Sequence, residues 1–126
     1  LKEKVLLFNI PLREKRLKIG RALLPLNIAV KAIERKEYGQ SIGYLAGYKD
    51  MPETREIYDG EELEGEMVIM AGLSGGRTEM VLAALRKAGV QKTCLKAVLT
   101  DTNRFWNAKA LYEELGKEYN RMNGQS

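Results

Sequence analysis

The hydrophobic positions of the chain fall into two rounds of one pattern. Residues 5–10 (VLLFNI) form a short, nearly unbroken apolar run, as in a strand buried on both faces, and Pro11 breaks it. Leu12, Ile19, Ala22, Leu23 and Leu26 then recur at helical spacing, which predicts a helix over 12–24 stopped by Pro25. In residues 28–33 (IAVKAI), Ile28, Val30 and Ala32 point one way and Ala29, Lys31 and Ile33 the other, as in a strand with one wetter face. A weaker helical stretch follows around YGQSIGYLAGY, interrupted by Gly39, Gly43 and Gly47. The second round begins with the apolar run 67–73 (MVIMAGL). The turn SGGR leads into a predicted helix over 78–88, whose stripe is Met80, Val81, Ala84, Leu85 and Ala88, with Gly89 placed for a left-handed cap. Residues 93–100 (TCLKAVLT) alternate again. A last helix over 104–122 sets Phe105, Ala108, Leu111, Tyr112, Leu115 and Tyr119 along one side.

The pattern predicts one α/β domain over residues 1–126, built from two strand-helix-strand-helix halves at 5–48 and 67–120. The echo of VKAI at 30–33 by LKAV at 95–98 raises the possibility of duplication. The first and third strands are apolar throughout, and the second and fourth alternate and bear a lysine each, so the first pair is expected at the centre of a sheet and the second at its edges. The expected fold is α+β: a ferredoxin-like βαβ repeat in strand order 4-1-3-2 with helices on one face, the glycine-rich and last helices being additions. The alternative is a small α/β parallel sheet with helices on both faces.

Composition narrows the chemistry. With 126 residues, 44% of them hydrophobic, the chain can bury a continuous core without disulfides or metal. Its one cysteine, Cys94, lies in an apolar strand and reads as a small buried hydrophobe, so the expected setting is a reducing cytoplasm. No run of residues is long and apolar enough for a membrane span. The formal charge of +4 is unevenly spread: residues 1–36 hold ten Lys or Arg against three Glu, and residues 53–66 hold seven acids against Arg55 alone. Arg13, Lys15, Arg16, Lys18 and Arg21 lie opposite the apolar stripe of the first helix, as a solvated face or as a nucleic-acid surface. Nucleic acid is the weaker partner on sequence, because no aromatics interleave with these cations and Phe8 alone is no stacking platform. Residues 49–66 form an acidic connector punctuated by Pro52, Gly60 and Gly65, with room for a short element at 56–58 or 61–63.

Gly72-Leu73-Ser74-Gly75-Gly76 matches G-x-S-x-G between a strand and a helix, the setting of a hydrolase nucleophile elbow. The chain has no histidine to activate Ser74, which leaves only a serine–lysine pair as a route to nucleophilic chemistry. The glycines read first as the steric requirement of a tight strand-to-helix turn; the same turn can instead offer a phosphate or carboxylate the backbone N–H groups of Ser74, Gly75 and Gly76 and the side chain of Arg77. Glu113, Glu114 and Glu118 read as solvated helix positions. No catalytic or metal-ligating set and no cofactor site is expected.

Lys96, Ala97, Thr100, Asn103, Trp106, Leu111, Glu114 and Leu115 follow a K-A…T..N..W….L..EL signature. The segment resembles the C-terminal part of a bacterial family catalogued as a domain of unknown function, over 67–119 and loosely at the first strand. The resemblance implies a compact bacterial α/β domain and no activity. Lys96, Thr100, Asn103 and Trp106 are expected around the end of one strand, where α/β domains place ligands. Asn103, Asp101 or Thr102 is expected to cap the last helix, and Trp106 to cover a neighbouring element. The functional expectation is a self-associating, non-enzymatic binding or regulatory module, a homo-oligomer, for an anionic small molecule; the alternative is nucleic-acid binding through the basic N-terminal helix.

Overall fold

A computed structural model describes residues 1–122. A four-stranded mixed sheet holds β1 (Lys4–Phe8), β2 (Ala29–Ile33), β3 (Met67–Ala71) and β4 (Leu95–Val98) in the order β2-β1-β3-β4. The apolar strands β1 and β3 are central, as expected, and the lysine-bearing strands are the edges. Val5, Leu6, Leu7, Phe8 and all of β3 are at most 2% exposed, because helices cover both of their faces. The pairing is parallel within each half and antiparallel between β1 and β3, with Leu6 opposite Ile69 at the middle.

The ferredoxin-like order 4-1-3-2 does not hold: the edge strands trade places. Each edge strand lies parallel to the central strand of its own half, joined to it by a crossover helix, α1 (Arg13–Leu23) or α3 (Arg77–Lys87). A strand-helix-strand crossover to the adjacent parallel position closes with a short connection, which decides the order. Helices on one face is also corrected. α1 and α3 pack on Val5, Leu7, Val68 and Met70, whereas α2 (Ile42–Ala46) and α4 (Ala108–Met122) cover Leu6, Phe8, Met67 and Ile69. The helices read as additions therefore form the second layer. The alternative expectation had both faces covered but an all-parallel sheet, which the antiparallel β1–β3 pair rules out.

Local signals set the ends of the elements. Pro25 lies in a 3-10 turn that follows α1, and Asn27 leaves that turn in the left-handed region at φ 57°. Gly47 and Gly89 are left-handed at φ 102° and 94°, ending α2 and α3. The last helix begins at Ala108 rather than 104, since Asn103–Phe105 form a separate 3-10 turn and Trp106 is extended at ψ 152°. Asn107 caps α4, its Oδ1 accepting from the Ala110 N–H at 2.9 Å, in place of the caps expected at 101–103. Phe105 leaves the stripe and is 59% exposed. The connector forms no regular element at 56–58 or 61–63. It is pinned by the reciprocal Gln40–Thr54 bonds at 2.8 and 2.9 Å and by the Asn9 amide, which donates to the carbonyls of Leu63 and Gly65.

Cys94 is buried, and burial pushes its thiol from an ordinary 9.0 up to about 11. Tyr38, buried against Phe8 and donating to Glu62 Oε1 at 2.5 Å, is also raised, by burial first and that bond second. Both groups hold a proton in the fold that the unfolded chain releases earlier. The contribution of Cys94 is therefore complete below pH 9 and is lost as the pH rises toward 11, and that of Tyr38 begins to be lost only above pH 10.0. Urea midpoints are expected to fall between pH 8.5 and 10.5, and Cys94→Ala to flatten part of that fall. An equally steep decline in the variant would exclude the thiol as a cause.

Candidate functional site

Of the residues expected around the end of β4, Thr100, Asn103 and Trp106 share one connection, Trp106 N donating to Asn103 O at 3.0 Å, and Lys96 points elsewhere. Thr100 and Asn103 meet in a single tight turn after β4: Asn103 Oδ1 accepts from Thr100 N at 2.8 Å, its Nδ2 donates to Val98 O, and Thr100 Oγ1 accepts from Asn103 N at 3.0 Å. These bonds satisfy the turn itself. Lys96 reaches toward the opposite end of the same strand, its Nζ donating to the carbonyls of Gln91 and Cys94. Trp106 is half-buried against the core beside α2, and its carbonyl accepts from Ile42 N at 2.8 Å.

At the β3–α3 turn, Ser74, Gly75 and Gly76 are exposed, and Gly75 is left-handed at φ 57°. Arg77 turns away from them. Its Nε donates to Glu3 Oε2 at 2.6 Å and a terminal nitrogen donates to the Leu26 carbonyl, which ties α3 to the start of β1 and the end of the first crossover. Gly72 accounts for the first glycine of the G-x-S-x-G match: its φ is 75°, and a Cβ there would meet the Lys2 carbonyl oxygen at 2.8 Å. Among the described residues no group of three or more His, Cys, Asp or Glu is arranged to hold a metal ion.

Arg104 is a residue the sequence reading missed. Its guanidinium lies 5.0 Å from the Tyr48 ring and 4.6 Å from the Phe105 ring and pairs with Asp50 at 3.2 Å. Tyr48 belongs to the first half, Asp50 to the start of the connector and Arg104 to the second half. The T-D-T-N-R-F-W stretch thus latches the β4–α4 connection onto α2. The presence of Tyr, Asp and Arg gave no sequence signal for this contact, because the partners lie more than fifty positions apart.

The topology creates a different site. From β1 the chain crosses to the α1 face, and from the adjacent parallel strand β2 it crosses to the α2 face. Such a divergence opens a crevice beyond the strand ends. Here it is a hollow of about 410 Å³ that includes Asn9, Pro11, Arg16, Arg35, Tyr38 and Glu62. It continues along the outside of the sheet into a groove of about 430 Å³ between α1 and β2, since Leu7, Arg16 and Ala32 line both. The groove floor is aliphatic, from Leu7, Leu17, Leu24, Val30 and Ala32, and Arg13, Arg16 and Arg21 stand along its helical side.

The charge of this flank is largely uncommitted. The side chains of Arg13 and Arg35 make no ion pair or hydrogen bond among the described residues, and Arg16 uses one terminal nitrogen on the Ile10 and Pro11 carbonyls, which leaves its other donors. The crevice acids are engaged: Glu62 accepts from Tyr38, and Glu34 takes part in a reciprocal cap with Glu37 and pairs with Lys36 at 3.4 Å. On sequence the same arginines read as a solvated helix face. What the sequence lacked was the position of that face beside an unpaired strand.

Fold and flank together define a small α+β domain with a two-layer helical cover, a crevice of mixed charge at a strand switch point and an arginine-lined groove beside it. Residues 66–122 match the model of a family described as a domain of unknown function, DUF3783. The match covers β3 through α4, the second half of the sheet, and agrees with the resemblance found in the sequence. No curated protein and no solved structure matches the chain. No helix among the described residues is long and apolar enough to cross a membrane.

Proposed function

We propose that the protein is a non-enzymatic binding module of the bacterial cytoplasm that takes an anionic ligand on the α1–β2 flank. The observation that carries this reading is the convergence of Arg16 and Arg35 on the crevice where the β1 and β2 connections part, with Arg13 and Arg21 continuing the cationic surface beside it. Guanidinium groups suit carboxylates and phosphates because they present paired donors in a fixed plane and stay charged at any working pH. The expected anion site at Ser74–Arg77 stands second, since Arg77 is held by Glu3 and Leu26. Self-association through the β2 edge also stands second, because a two-fold pairing of that edge sets the arginines of two copies against each other.

Inorganic triphosphate serves as the generic probe. In low salt it is expected to raise the melting temperature by several degrees, as a ligand at a hundredfold excess over Kd stabilises by about 2.7 kcal/mol. The shift should shrink with added salt and disappear in the double variant Arg13→Glu, Arg35→Glu, whose side chains are exposed and hold nothing else in place. An unchanged shift in the variant removes the flank as the site.

A further inference from the structure

We propose that the ligand of this flank is an acidic polypeptide segment in extended conformation, added to β2 as a fifth strand; the proposal rests on the anionic-ligand reading and names the ligand's class. β2 is the outermost strand, and Ala29, Lys31 and Ala32 are exposed on it. An edge strand presents a row of backbone N–H and C=O groups with no partner, and strand addition satisfies them. The side chains fit the same occupant. A strand turns alternate residues to opposite faces, so every second residue of an added segment falls on the α1 side, over the aliphatic floor of Leu17, Leu24, Val30 and Ala32. Leu17 and Leu24 are 47% and 73% exposed, which leaves apolar surface for those residues to cover. Carboxylates on that same side, two positions before and two positions after the apolar residues, meet Arg13 and Arg21, which lie toward opposite ends of the helix.

Size and charge select among occupants. An eleven-residue helix is about 16 Å long, which matches roughly five strand residues and the five residues of β2 itself. A second copy adding through its own β2 edge would oppose like charges along the whole groove. A nucleic acid would find phosphate partners, but the groove floor offers aliphatic side chains where single-stranded binders place rings for the bases to stack on.

The test is fluorescence anisotropy with a labelled seven-residue peptide, Glu-Ser-Val-Ser-Val-Ser-Glu, whose two glutamates and two valines share one face of a strand. It is run beside the same peptide N-methylated at every second amide in either register, a counterpart with lysine in place of glutamate, a ten-residue oligothymidylate and inorganic triphosphate as competitor. The expected result is saturable binding of the acidic peptide and at least tenfold weaker binding of one N-methylated register. The lysine peptide should not bind, and Arg13→Glu with Arg21→Glu should weaken binding tenfold or more. Amides of residues 29–33 should gain protection from hydrogen exchange in the complex. Equal binding of both methylated registers, with competition by triphosphate, overturns strand addition and leaves the anion reading standing. Failure of both peptide and triphosphate to bind overturns the two together. Tighter binding of oligothymidylate at the same salt assigns the flank to nucleic acid, and a concentration-dependent dimer dissociated by Lys31→Pro assigns it to a second copy; either result overturns the proposal. The methylated peptides test it without altering the protein, so a variant that fails to fold does not obscure the answer.

Discussion

Phe8→Ala is expected to lower the unfolding free energy by about 3–5 kcal/mol, the usual cost of deleting a buried aromatic ring. Phe8 is 0% exposed and ends β1, opposite Met67 on one side and Ile33 on the other. Its ring centroid lies 6.0 Å from that of Tyr38, which in turn lies 5.6 Å from that of Tyr58. Truncation therefore leaves a void beneath an aromatic chain running from the sheet to the acidic connector. Collapse is restricted, because Tyr38 is tied to Glu62 and Glu62 also accepts from the Leu63 N–H. Leu24→Ala provides the contrast: its side chain is 73% exposed and its loss is expected to stay near zero. Urea denaturation of both variants measures the difference. Similar midpoints for the two would mean that the α2–α4 layer is not packed as described.

The same contrast explains what the sequence disclosed. Residues 5–8 and 67–71 announced central strands because burial on two faces leaves no polar position to tolerate, and the lysines at 31 and 96 marked the edges. Strand order was less legible. Both arrangements put β1 and β3 at the centre, and hydrophobic period says nothing about which edge lies beside which. The crossover decides that, and it belongs to chain geometry rather than to residue type. By propensity the glycine-rich stretch is a poor helix, because Gly43 and Gly47 weaken one. In the fold Gly47 ends α2 in the left-handed region and Gly43 gives room to a passing backbone.

The candidate site was legible in its parts and not in its assembly. The G-x-S-x-G match reflected a tight turn, with Gly72 pressed on the Lys2 carbonyl, and Arg77 was spent on Glu3. Asn103 and Asn107 lie four positions apart, both with cap-forming side chains, and only the extended Trp106 between them reveals that Asn107 caps the helix while Asn103 closes the turn. The arginines of α1 were visible as a stripe. That the stripe borders an open strand follows from the parallel β1–β2 pairing, which no local pattern encodes.

Gly43→Ala tests the junction between the halves, and its sign is set by two opposed effects. Alanine favours a helix over glycine by about 1 kcal/mol in an interior position, and Gly43 lies inside α2. Against this, a Cβ at residue 43 would meet the Arg104 carbonyl oxygen at 2.9 Å, Met51 Cγ at 3.0 Å and Arg104 Cβ at 3.2 Å. Met51 can swing aside, but the Arg104 backbone cannot do so cheaply. Arg104 N is bonded to Thr100 O at 3.1 Å, Asn103 closes the same turn, and Trp106 O accepts from Ile42 N next to the substituted position. Overpacking a fixed contact costs about 1–3 kcal/mol, and α2, at five residues, gains little from one better helix former. The net expectation is a loss of about 1–2 kcal/mol by the same balance. The α2–turn contact should loosen with it, so Trp106 emission should shift to longer wavelength in the folded variant. Met51→Ala added to Gly43→Ala should recover only the side-chain part of the loss, because the carbonyl contact remains. A midpoint equal to or above that of the parent chain would show that the turn carrying Arg104 yields freely, and that the latch between α2 and the β4–α4 connection is slack.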